Sequence, residues 1–150
     1  MRQDPRPHRI RLASSWQIIT EAGRWPGVHT RPQRFGAIAI CLNRRELGHL
    51  HGDRSADLPL ERALRDRLVS SGAAQEHRWR PNSGWVTIPL DCERDVFEVI
   101  ALLRINYEGG RAALRTATDI TRSELAIEPS IRQAQTAMRL MRDLGTEAQR

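Results

Sequence analysis

Apolar residues recur along this chain with two different periods, and the switches between them mark out its elements. From Ser14, a candidate N-cap, Trp16, Ile19 and Ala22 repeat at helical spacing up to Gly23, which predicts a short first helix ending near Arg24. Pro26 pushes Trp25 out of the helical region, so Trp25-Pro26-Gly27 turns the chain. Phe35 to Leu42 is almost uncharged and rich in Ile and Ala. Asn43-Arg44 follows it and Glu46-Leu47-Gly48-His49-Leu50-His51-Gly52 resumes, which predicts a β-hairpin. Asp57-Leu58-Pro59-Leu60 is a short extended piece that Pro59 confines to a sheet edge or to the start of a helix. Leu60, Ala63, Leu64 and Leu68 form a stripe that Gly72 stops, a second helix over about residues 61–71.

The loop Arg80-Pro81-Asn82-Ser83-Gly84 joins the extended runs Gln75 to Trp79 and Trp85 to Leu90, a second hairpin. Asp91 can cap a third helix, in which Val96, Val99, Ile100, Leu103 and Tyr107 share a side, with Gly109-Gly110 as its stop. Residues 111–127 are weakly helical and Pro129-Ser130 breaks them. Ile131, Ala134, Met138, Met141 and Leu144 then form the stripe of a terminal amphipathic helix, which docks on its own domain or makes a homodimer. The expectation is an α+β domain over residues 12–109: an antiparallel sheet built from two β-hairpins with helices packed on one face. A flexible arm (1–11) precedes it and a C-terminal helical extension (110–150) follows.

Composition changes this picture little. Hydrophobic residues make up 39 % and charged residues 28 % of 150, which suits one soluble domain. The longest apolar runs fall well short of the ~20 residues that a membrane span needs, and a soluble, cytoplasmic protein is expected. The net charge of +6 raises the question of nucleic acid. All 24 basic residues are arginines, however, and they are interleaved with acids, as in Arg65-Asp66-Arg67 and Glu93-Arg94-Asp95, so a nucleic-acid partner is not expected. Cys41 and Cys92 read as free thiols; there is no Cys-x-x-Cys pair, no phosphate loop and no Gly-x-Ser-x-Gly elbow.

The chemistry concentrates in the strand at 46–52, which holds two of the five histidines. Strict alternation puts Leu47, His49 and His51 on one face and turns Glu46 away from His49. His49 and His51, a carboxylate at Asp53 or Asp57 and a third imidazole at His77 are the ligand types of a divalent metal site with an open position. Asp57 also has a plainer reading, as a cap before Pro59. His8 and His29 lie outside the group and are expected at the surface.

Glu46-Leu47-Gly48-His49-Leu50-His51, Asp57-Leu58-Pro59-Leu60, His77, Ser83-Gly84-Trp85-Val86 and Asn106-Tyr107, preceded by Trp25-Pro26-Gly27-Val28 and Arg34-Phe35-Gly36, resemble in order and spacing the luciferase-like domain family. That family takes its name from fungal luciferase and has many small bacterial members. The resemblance spans Trp25 to Tyr107. It implies an oxygen-dependent oxidation of a hydroxylated α-pyrone, with molecular oxygen as co-substrate and no flavin or nicotinamide. The membrane-anchored N-terminal half of the fungal protein has no counterpart here, so light emission is not expected. A cofactor-independent oxygenase of this type needs a base to make an electron-rich enolate. His49 or His51 is the candidate base, with His77 and Tyr107 as hydrogen-bonding partners. Trp79, Trp85 and Asp57 would contact a small aromatic or enolic substrate. No cofactor is then required; one divalent metal ion held by His49, His51, Asp57 and His77 is the alternative.

Overall fold

A computed structural model describes the backbone of residues 13–147 and the side chains of residues 13–122. The arm expected over 1–11 and the side chains of the Met-bearing stripe lie outside the described residues. The chain divides into two compact units, one ending at Gly110 and the other beginning at Arg111.

The first unit is α+β. Strands β1 (Val28–Pro32), β2 (Ile38–Leu42), β3 (Arg45–His51), β4 (Ser55–Pro59), β5 (Gln75–Glu76) and β6 (Trp85–Pro89) form one antiparallel sheet in the order β1-β2-β3-β4-β6-β5. Helix α1 (Ser14–Ala22) precedes it, α2 (Arg62–Ser70) links β4 to β5, and α3 (Glu93–Glu147) follows β6. Ile18 and Ala22 of α1 and Val96, Val99, Leu103 and Tyr107 of α3 bury against Ile40, Leu50, Leu58, Val86 and Ile88 of the sheet, and Leu64 and Leu68 of α2 pack onto the same cluster. Gly48 permits the close fit: a Cβ there would lie 3.0 Å from the Asp57 carbonyl and 3.1 Å from Leu103 Cδ1's partner methyl, Cδ2.

The β2–β3 hairpin turns at Asn43, whose φ of 53° suits asparagine's tolerance of the left-handed region. Several expectations are corrected. Strand β1 carries no apolar pattern, because His29-Thr30-Arg31 is polar and exposed as an edge strand can be. Strand β4 lies inside the sheet, between β3 and β6, with Pro59 tolerated as its last residue. Only Gln75 and Glu76 of the expected 75–79 strand pair with β6, leaving His77 and Trp79 in the following loop. Trp16 is exposed, since Ile18 rather than Trp16 turns inward. The N-terminus of α1 is held from outside: the Ser15 backbone N–H and hydroxyl both donate to Asp53 Oδ1, at 2.8 and 2.6 Å.

Helix α3 neither starts nor stops as expected. Asp95, not Asp91, does the capping, because its carboxylate accepts the backbone N–H groups of Asp91 and Cys92, each at 2.8 Å. The helix continues through Gly109-Gly110 and Pro129. Gly110 serves close approach instead of termination: a Cβ there would sit 3.1 Å from Leu42 Cδ2. In the second unit, the hydroxyls of Thr116, Thr118 and Thr121 each donate to the carbonyl four residues back, and Leu114 and Ile120 are exposed. Among the described residues, no helix is long and apolar enough to cross a membrane.

The hydrogen bond to Cys92 N–H, with a smaller opposing effect of burial, holds the Asp95 carboxyl below its ordinary 3.8. A depressed carboxyl stabilises the fold above its unfolded pKa, and that stabilisation is lost as pH falls through the folded value. Asp95→Ala should therefore lower stability by about 1 kcal/mol at neutral pH. In urea unfolding the gap from wild type should close as the pH is taken below about 4, and a gap that persists in acid would show that Asp95 acts otherwise.

Candidate functional site

The sheet's other face carries one continuous row of paired residues, Arg31–Ala39–His49–Asp57–Thr87–Gln75, running across β1, β2, β3, β4, β6 and β5. Ala39, paired with His49 across β2 and β3, is fully buried. His51 pairs with Ser55 one step along β3.

Regular alternation fails at one point, and the site depends on that failure. Ile40 pairs with Gly48 but Cys41 pairs with Glu46, a β-bulge that leaves Leu47 as the extra residue of β3. The bulge sends Leu47 into the core, fully buried, and brings Glu46 round to the histidine face. Glu46 Oε1 there lies 2.6 Å from His49 Nδ1, and Glu46 Oε2 accepts a 2.8 Å hydrogen bond from Gln33. The expected face of Leu47, His49 and His51 is thus corrected to Glu46, His49 and His51. Asn106 of α3 spans the irregularity, its Nδ2 donating to the carbonyls of both Leu47 and Pro59 at 2.8 Å.

Asp57 is the hub. Only 5 % exposed, it accepts the Thr87 hydroxyl on Oδ1 at 2.6 Å. Its Oδ2 faces three imidazole Nε2 atoms: His51 at 2.8 Å, His49 at 3.2 Å and His77 at 3.3 Å. Burial works to raise the Asp57 pKa, but hydrogen bonds from His49, Thr87 and His51 overcome it and hold the carboxyl far below the ordinary range. For His49, burial disfavours the charge, while Asp57 and then Glu46 favour it and leave the pKa raised. His77 comes from the loop after β5. Its Nδ1 accepts the Trp79 backbone N–H at 3.2 Å, so its proton sits on Nε2, facing Asp57.

These groups floor an open cleft of about 1030 Å³. Trp85 walls it, with its ring 5.4 Å from His49 and 6.0 Å from His77. Ser83 Oγ accepts the Trp85 N–H, and Gly84 has no room for a side chain, since a Cβ would lie 2.6 Å from the Leu60 carbonyl. Trp79 stands at the rim, 78 % exposed, with the Arg78 guanidinium 4.9 Å from its ring centre. Arg65 of α2 secures this loop, donating to Glu76 at 2.7 Å and to the Pro81 carbonyl.

Of the residues expected from sequence, the cleft gathers His49, His51, His77, Asp57, Trp79 and Trp85. It does not gather Tyr107 or Asp53. Tyr107 is fully buried in the core; its hydroxyl donates to the Pro26 carbonyl at 3.0 Å and its ring packs 5.3 Å from Trp25. Asp53 holds Ser15 instead. Glu46, Thr87 and Phe35 are additions. Thr87 was legible as the residue two along from Trp85 on a strand. Phe35, fully exposed at the rim with φ 59°, adopts a left-handed backbone that costs on the order of 1–3 kcal/mol and that no local pattern announces.

Such a fold and cleft define a small α+β domain with a histidine–carboxylate site on the open face of its sheet. The family model described as Luciferase domain matches residues 44–106, so this stretch of the chain is a luciferase-like domain. The match includes every member of the Asp57 cluster and ends at Asn106. No curated protein and no solved structure matches the chain significantly.

Tyr107→Phe should lower stability by about 1 kcal/mol while leaving ligand affinity in the cleft unchanged. Asn106→Ala should cost about 1–3 kcal/mol and also weaken cleft binding, because it releases the bulge that aims Glu46. Denaturant titration paired with a binding isotherm separates the two.

Proposed function

We propose that the cleft is the active site of an oxygenase acting on a small, flat enolic or phenolic compound, such as a hydroxypyrone, whose acidic oxygen is held against the Asp57 cluster and loses its proton there. The observation that carries this reading is the meeting of three imidazoles at one buried carboxylate on the floor of an aromatic-walled cleft. Without a metal, His51, the most exposed of the three at its side chain, is the group placed to take the proton. Dioxygen then adds to the electron-rich carbon of the enolate. The substrate supplies both electrons, the new bond is carbon to oxygen, and the returning proton gives a hydroperoxide, so substrate plus oxygen equals product.

The cleft's charge supports an anionic substrate form. Arg31, Arg34, Arg54, Arg78 and Arg80 line it against two acids, Glu46 and Asp57. Among the described residues, only Arg31 of these five has a carboxylate within ion-pair reach, Glu46 at 4.0 Å. Arginines elsewhere, such as Arg62, Arg94 and Arg104, pair along their own helices with Asp66, Glu98 and Glu108. Excess cationic groups around a concave site raise the local concentration of anions, and salt screens the effect.

The test is a fluorescence titration with a 4-hydroxy-2-pyrone and a catechol, combined with an oxygen electrode. Saturable quenching that weakens with salt, is lost in Trp85→Phe and is reduced at least ~10-fold in His51→Ala is expected from removal of a charge-assisted contact. Oxygen uptake should accompany it. Binding without oxygen uptake leaves a ligand-binding domain, and absence of both removes the reading.

A further inference from the structure

We infer that His49, His51 and Asp57 form a binding site for one divalent transition-metal ion, with Glu46 and Thr87 as its outer support and His77 excluded from the ligand set. The inference rests on the cleft being the functional site, and it replaces the free imidazole base with a cation.

The first argument is saturation. One carboxylate oxygen offers about two lone-pair positions, yet Asp57 Oδ2 faces three Nε2 atoms between 2.8 and 3.3 Å. Hydrogen bonds alone cannot satisfy all three with good geometry. A cation between the Nε2 atoms of His49 and His51 and Asp57 Oδ2 relieves the crowding, because two of the three nitrogens then present lone pairs to the ion rather than protons to the oxygen. One ligand atom from each of these three residues already lies within 4.8 Å of the others.

The second argument is the tautomer given to two of the rings, His49 and His77. A metal-ligating histidine ordinarily donates its remote N–H to a carboxylate or carbonyl, which fixes the ring and directs the other nitrogen's lone pair at the metal. His49 has this arrangement, with Glu46 Oε1 2.6 Å from Nδ1 and Gln33 holding the second Glu46 oxygen. His77 has the opposite one. Its Nδ1 accepts the Trp79 N–H, so its Nε2 carries the proton and cannot ligate. That leaves His77 as a donor beside the ion, aimed at Asp57 Oδ2 or at an oxygen of a bound molecule. Thr87 donates to Asp57 Oδ1 and so keeps Oδ2 as the ligating atom.

Two imidazoles and one carboxylate on the floor of an open cleft leave coordination positions for substrate or oxygen. The mixed nitrogen and oxygen donors select an ion of the manganese-to-zinc series over calcium or magnesium, which take oxygen ligands. With such an ion bound, its charge would stabilise the enolate oxygen, and the His77 Nε2–H would donate a hydrogen bond to an oxygen of the bound molecule.

The test uses the full chain, purified without a histidine tag and stripped by chelator. Titration with Co²⁺, followed by its visible absorption, should show one equivalent bound at micromolar or tighter affinity. Since each substitution removes one of three ligands, His49→Ala, His51→Ala and Asp57→Asn should each weaken binding by at least ~100-fold. Glu46→Gln should weaken it about 10–100-fold, and His77→Ala by less than about threefold. If a ligand variant fails to fold, Zn²⁺ added to the stripped wild type should shift the imidazole resonances of His49 and His51 and leave those of His29 in place. Failure to bind cobalt below millimolar concentration, or unchanged uptake in folded ligand variants, overturns the inference. Pyrone binding and oxygen uptake that persist in metal-free protein would overturn it too while leaving the oxygenase reading intact. One equivalent of metal bound with no response to any enolic probe would uphold the metal site and remove the oxygenase reading instead.

Discussion

A carboxylate buried in the middle strand of a sheet is the constraint around which this domain is arranged. Burying an ionised group without partners costs several kcal/mol, and Asp57 sits among Ala56, Leu58 and Val86 of the core strands. Its environment answers by surrounding both oxygens with donors: Thr87 on one, imidazoles on the other. The demand propagates outward. Three histidines must be brought to one point, which requires a row across neighbouring strands, a loop returning from β5, and a bend in β3 that lets a second carboxylate reach His49.

The bulge at Leu47 shows how backbone irregularity serves chemistry. One extra residue in β3 exchanges a leucine for a glutamate on the site face and frees the Leu47 carbonyl from regular pairing. Asn106 takes that carbonyl, and with the same amide nitrogen takes Pro59 O on the adjacent strand. A single helix residue thereby fixes β3 to β4 at the point where His49 and Asp57 face each other. Gly48 matters for the same reason, since only a residue without Cβ lets Leu103 and the Asp57 backbone close over the bend.

Period-two and helical patterns in the sequence were sufficient for the first hairpin, for α2 and for the apolar face of α3, because each of these turns recurring apolar residues toward the core cluster. They also pointed to His49, His51 and His77, since imidazoles at matched positions on extended segments are unusual in a plain core. They were insufficient wherever a tertiary partner overrides a local rule. Gly110 looks like a stop but is a contact with Leu42. Asp91 looks like a cap, while Asp95 caps from inside the helix. Glu46 looks turned away from His49 because no local feature announces a bulge. Tyr107 looks like a pocket hydroxyl, whereas its partner is Pro26, far off in sequence and across the core.

The residues on which the sequence resemblance was drawn therefore divide into two kinds. Tyr107 with Trp25 and Pro26, Asn106 with Leu47 and Pro59, and Gly84 against Leu60 set distances between elements. The Arg104 guanidinium lies 5.1 Å from the ring centres of both Trp25 and Tyr107, which closes the first of these contacts. His49, His51, His77 and Asp57 use the distances so set. The matched stretch, residues 44–106, contains the whole second kind together with Asn106 and Gly84. Strand β1 and the segment joining it to β2, which lie before it, contribute Arg31, Gln33 and Ala37 to the cleft. The matched segment thus carries the whole Asp57 cluster, and residues preceding it line the same cleft. On the proposed reading of the cleft, variation before residue 44 acts on which molecule enters, and variation within 44–106 on what the cluster does to it.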